Sequence, residues 1–82
     1  MLALILALFA MPHIHFTWNQ SQPGEVKILE GTAHGGPYPK VVCKSSDGKC
    51  DATGFTPGQT YYFVAQETGI AGYSNEVAAT VK

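Results

Sequence analysis

Phe55-Thr56-Pro57-Gly58-Gln59-Thr60-Tyr61-Tyr62-Phe63-Val64-Ala65 decides how the chain is read. Proline presets φ near −65° and glycine accepts positive φ, so Pro57-Gly58 suits the centre of a type II turn. The aromatic and β-branched run that follows fits a pleated, half-buried surface. Period-2 alternation turns Tyr61, Phe63 and Ala65 to one face, expected to be the core.

Similar signals recur on both sides. His13-Ile14-His15-Phe16-Thr17-Trp18 alternates cleanly, with Ile14, Phe16 and Trp18 on the apolar face. A polar turn, Asn19 to Gly24, leads to a strand over Glu25 to Leu29, with Val26 and Ile28 inward. Gly31 to Pro39 reads as a Gly/Pro-rich loop, and Val41-Val42-Cys43 as a short strand. A weak strand begins at Cys50, where only Cys50 itself reads as inward; the last strand is expected over Asn75 to Val81. Short, regularly spaced strands with turn signals between them, six after Pro12 and a seventh if the N-terminal run joins, predict an all-β antiparallel sandwich or barrel.

Eighty-two residues bound this to one small domain. Net charge is −1, with five lysines and no arginine, and no basic patch is legible for neutralising phosphates, so nucleic acid is not expected as a partner. Charged residues make up only 13%, which suits a protein packed among neighbours, although a Thr/Ser/Gln-rich exterior reads the same way.

Cys43 and Cys50 flank Lys44-Ser45-Ser46-Asp47-Gly48-Lys49, and Asp-Gly is a strong hairpin-turn signal. A hairpin there brings both cysteines close across its arms and predicts a disulfide, hence an oxidising compartment. Two free thiols are the other reading. The spacing is not that of a zinc site.

Met1 to Met11 is a continuous apolar run without charge, ended by Pro12. It is too short to span a bilayer as a helix, so no membrane span is expected. It resembles the apolar part of a signal peptide, with Ala10 as a cleavage position, but lacks a basic n-region. Read as a strand, Leu2, Leu4, Leu6 and Leu8 fall on one face and Ala3, Ile5, Ala7 and Phe9 on the other. Both faces are apolar, so one needs cover from outside the domain; a helix is the alternative geometry and needs the same cover. Leu2, Leu4, Ile5, Leu6, Leu8 and Phe9 are therefore the expected assembly interface. The chain divides into an apolar segment, 1–12, serving as first strand or inter-subunit strand, and a sandwich, 13–82.

From residue 13 onward the sequence resembles a fibronectin type III domain, an immunoglobulin-like sandwich. Phe16-Thr17-Trp18 matches the core tryptophan closing that family's second strand. Phe55-x-Pro57-Gly58-x-x-Tyr61 matches the hallmark before its sixth. Gly35-Gly36-Pro37-Tyr38 and Tyr73-Ser74-Asn75-Glu76-Val77 look like bacterial and phage members. The resemblance implies a structural core of Phe16, Trp18, Tyr61 and Phe63, with Tyr61 as a tyrosine corner whose hydroxyl meets nearby backbone. It also implies adhesive or spacing work rather than catalysis. Two departures stand out: the first strand is far more apolar than is usual for the family, and the loop after Gln66 lacks the Arg-Gly-Asp sequence that some members use for attachment.

No catalytic constellation is legible. Gly-x-Ser-x-Gly is absent, and Glu25, Glu30, Glu67 and Glu76 are not placed in a cleft by any spacing. His13 and His15 share a strand face but have no third metal ligand placed near them, with His34 in a separate loop. Solvent- or interface-facing residues are the simpler reading, and no cofactor is expected. Leu29, Tyr38, Tyr62, Ile70 and Tyr73 read as exposed and available to a protein partner. The expected function is a non-enzymatic structural subunit of a phage particle surface or extracellular filament, held by residues 1–12 to copies of itself or to other subunits. The alternative is a secreted monomeric adhesion module whose residues 1–10 are a signal peptide.

Overall fold

The computed structural model describes residues 3–8, 14–19, 24–69 and 72–80, the first of these by backbone alone. Seven strands and no helix occur among them: β1 (Ala3–Leu8), β2 (Ile14–Asn19), β3 (Val26–Gly31), β4 (Lys40–Ser45), β5 (Lys49–Ala52), β6 (Thr60–Glu67) and β7 (Val77–Thr80). They form two antiparallel sheets, ordered β1-β2-β5 and β4-β3-β6-β7. The architecture is that of a β-sandwich.

Alternation explains the core. Ile14, Phe16 and Trp18 of β2 are buried, as are Val26 and Ile28 of β3 and Tyr61, Phe63 and Ala65 of β6. Phe16 meets Phe63 edge-on at 4.9 Å, bridging the two sheets. Phe55 packs edge-on against Tyr61 at 5.1 Å and Phe63 at 5.7 Å, closing one end. Ala52 is buried too, so β5 contributes a core position beyond Cys50.

The Pro57-Gly58 turn has the expected geometry. Gly58 takes φ +87°, and the Gln59 N–H donates to the Thr56 carbonyl at 3.2 Å. Just upstream of it, the Thr56 N–H donates to the Tyr61 hydroxyl at 2.8 Å. That bond locks the turn to a ring seated in the core.

Two expectations are corrected. The arms on either side of Asp47-Gly48 do not pair as a hairpin: β4 pairs with β3, and β5 with β2, so the turn crosses between sheets. The Trp18 N–H donating to the Gly48 carbonyl at 3.0 Å holds that crossing against β2. Leu29 is not exposed but 7% accessible. It lies on a central strand between Val64 of β6 and Val41 of β4, so apolar neighbours flank it on both sides.

Candidate functional site

Three features stand out as places where chemistry or contact is concentrated. The first is the Cys43–Cys50 disulfide, whose Cα atoms lie 6.2 Å apart. An irregularity between Ile28 and Leu29 pairs them with Cys43 and Val41, leaving Val42 as an extra residue of β4. Cys43 therefore sits opposite the core residue Ile28, and Cys50 opposite Phe16, so the bond joins the edge strands of the two sheets at one side of the core. Disulfides of this kind persist in oxidising compartments.

The second lies on the outer face of the larger sheet, where residues 32–39 fold back over β6 and the segment entering β7. Gly31 shows how close the approach is: a Cβ there would stand 2.3 Å from the Pro37 carbonyl oxygen. The Gly36–Pro37 peptide is cis. Glu76 anchors the returning loop. Its carboxylate accepts from the Gly35 N–H at 2.8 Å, from the His34 Nδ1–H at 2.6 Å, and from the Tyr38 hydroxyl.

Glu76 is positioned by Ser74. The Ser74 N–H donates to the Ala65 carbonyl, and its Oγ accepts from the Ala65 N–H, each at 2.8 Å, which extends the β6–β7 ladder beyond Val77. Tyr38 packs edge-on against Tyr73 at 5.4 Å, and His34 against Tyr62 at 6.0 Å. The electrostatics follow. The hydrogen bond to Glu76, with burial and the carboxylate charge, pushes the Tyr38 phenol up to about 12. The same hydrogen bond, with those from Gly35 and His34, holds the Glu76 carboxyl below its ordinary value.

The third feature is β1, the outermost strand of its sheet. It pairs with β2 in the register Leu4 to Trp18, Ile5 to Thr17, Leu6 to Phe16 and Leu8 to Ile14. Of the expected assembly residues, Leu4, Ile5, Leu6 and Leu8 thus lie on an edge strand. Leu2 and Phe9 lie outside the described residues.

Phe16, Trp18, Tyr61 and Phe63 all lie in the core. Tyr38 and Tyr62 are half-buried in the outer-face cluster, and Tyr73 is 56% exposed beside them; Ile70 and His13 lie outside the described residues. His15 Nδ1 donates to Asp51 Oδ1 at 2.6 Å, across the β2–β5 ladder. Among the described residues no group of three or more His, Cys, Asp or Glu side chains could hold a metal ion. The Glu76 cluster was not legible in the sequence, because its members come from positions some 40 residues apart. The Gly35-Gly36-Pro37-Tyr38 and Tyr73-Ser74-Asn75-Glu76 motifs marked both halves without showing that they meet. No helix among the described residues is long and apolar enough to cross a membrane. Compared with protein-family models, curated proteins and solved structures, the chain matches none.

Proposed function

We propose that the chain is a fibronectin type III-like sandwich that serves as a non-enzymatic assembly subunit, built through β1 into an extracellular filament or a phage particle surface. Support for the family comes from the strand order β1-β2-β5 facing β4-β3-β6-β7 and from Tyr61 closing the Pro57-Gly58 turn. The observation that carries the function is the position of β1. Ala-Leu-Ile-Leu-Ala-Leu is wholly apolar, yet it forms a sheet edge. An edge strand exposes a row of unpaired backbone N–H and C=O groups, and natural proteins blunt such edges with charge, proline or brevity. Covering it adds main-chain hydrogen bonds and removes apolar surface from water, at about 25 cal/mol per Å².

Sedimentation velocity of the wild type against the Ile5→Lys/Ala7→Lys double variant tests the reading. The wild type is expected above the 8.8 kDa of a single chain and the variant at that mass. A wild type that remains at 8.8 kDa across a concentration series, or a variant that assembles equally well, overturns it.

A second reading, a secreted adhesion module, draws on the aromatic patch of Tyr38, Tyr62 and Tyr73 beside His34 on the outer face. Tyrosines of this kind are enriched in contact surfaces. It takes residues 1–10 as a leader, and the pairing of Ala3–Leu8 along the whole of β2 favours the first reading instead.

A further inference from the structure

Among the described residues the sandwich has four sheet edges: β1 and β5 in one sheet, β4 and β7 in the other. Three carry the features that discourage pairing with another chain. β4 bears Lys40 and Lys44, β5 bears Lys49 and Asp51, and β7 is only four residues long. Over Ala3–Leu8, β1 has no charge, no proline and six residues of length. Its sequence has a further property. Ala3-Leu4-Ile5-Leu6-Ala7 reads the same in both directions, and the palindrome continues in sequence through Leu2 and Leu8.

Resting on the assembly reading above, we infer that β1 pairs with β1 of a second copy of this chain, antiparallel and about a two-fold axis through Ile5. In that arrangement position 5 stands opposite itself, 4 opposite 6, and 3 opposite 7. A two-fold interface uses the same patch on both subunits, so it is satisfied when that patch is complementary to itself. The palindrome meets this condition position by position: isoleucine faces isoleucine, leucine faces leucine, and alanine faces alanine. Moving the axis to Leu4 or Leu6 shortens the overlap and sets Ile5 against an alanine. Moving it by half a residue breaks the alternation that keeps the leucine positions together on one face. The pairing joins two three-stranded sheets into one continuous sheet of six, ordered β5-β2-β1-β1-β2-β5, and satisfies the backbone groups of both open edges.

Single cysteines under mild oxidation test the register, with the Cys43–Cys50 disulfide left intact. Directly opposite positions on paired strands have Cβ atoms about 5 Å apart, close enough for a disulfide. Positions 3 and 3 of the two copies are offset by four residues, about 14 Å along the strands, and so are positions 7 and 7. Ile5→Cys is expected to cross-link with itself. Ala3→Cys and Ala7→Cys each fail alone but give the mixed dimer when combined. Cross-linking of every position with itself indicates a parallel pair and overturns the inference, as does failure of the mixed pair. If Ile5→Cys does not fold, judged by Trp18 emission, the mixed pair carries the test by itself. Wild-type assembly without this cross-link pattern removes the β1–β1 pairing and leaves the assembly reading standing. A wild type at 8.8 kDa throughout removes both.

Discussion

The Tyr38 hydroxyl donates to the Glu76 carboxylate, and through that bond the loop between β3 and β4 is tied to the segment entering β7. The two residues are 38 apart in sequence, and each shifts the acidity of the other in opposite directions. Tyr38→Phe removes the donor while keeping the ring against Tyr73. Hydrogen bonds to charged groups contribute about 1.5–3 kcal/mol, and this one is partly open to water, so the expected loss is about 1 kcal/mol. For a domain of this size that lowers Tm by roughly 4–8 °C. Thermal denaturation followed by circular dichroism checks it; an unchanged Tm counts against the latch.

The pH dependence of stability has a sign at each end. The Tyr38 phenol is raised from 10.0 to about 12 in the folded chain. Its contribution is fully present below pH 10 and disappears as pH rises towards 12, because the unfolded chain loses that proton first. The Glu76 carboxyl is lowered on folding, so its contribution is full above its ordinary value and is lost as pH falls through the folded one. Tyr38→Phe should flatten the alkaline limb of a stability–pH curve. Ultraviolet titration of wild type minus variant should show a single phenol ionising near 12.

Gly31 and Gly58 separate two reasons for glycine. At Gly31 a Cβ meets the Pro37 carbonyl at 2.3 Å, so Gly31→Ala pushes the loop off the outer face. Overpacking of this kind costs about 1–3 kcal/mol. At Gly58 there is open space but φ is +87°, so Gly58→Ala pays only in backbone conformation, about 1–2 kcal/mol. Denaturation midpoints measure both. Amide exchange distinguishes them, with faster exchange of the Gly35 N–H expected only for Gly31→Ala.

Tyr61→Phe leaves the core ring in place and removes the acceptor for the Thr56 N–H. Thr56 is exposed, so water can replace the lost partner, and the expected cost is about 0.5–1.5 kcal/mol by urea denaturation. A loss several times larger indicates that the hydroxyl supports more than this turn.

Replacing both Cys43 and Cys50 by alanine releases a short loop and separates two sheets that no ladder joins at that point. Chain entropy alone puts the cost at about 2.5 kcal/mol. The denaturation midpoint of the wild type under reducing conditions should fall towards that of the double variant.

The strands were legible because their signals are local. Alternation in Ile14–Trp18 and Tyr61–Ala65, and the preset φ of Pro57 beside the permissive Gly58, depend on near neighbours and survive any arrangement of the rest. The sequence by itself thus determined the strands after Pro12, the core-facing positions Ile14, Phe16, Trp18, Val26, Ile28, Tyr61, Phe63 and Ala65, and the Pro57-Gly58 turn. Tertiary structure decided everything that depends on distant partners. Asp47-Gly48 signals a turn, but whether its arms pair depends on β3 and β2 claiming them separately. Leu29 sits on the solvent side of the alternation, yet it is buried between Val64 and Val41. Glu76 has no partner assigned by any spacing, and no local pattern encodes a hydrogen bond between residues 38 and 76. The apolar run at the start of the chain is legible as a segment in need of cover, and its place at the edge of the β1-β2-β5 sheet leaves one side of it without a ladder partner among the described residues.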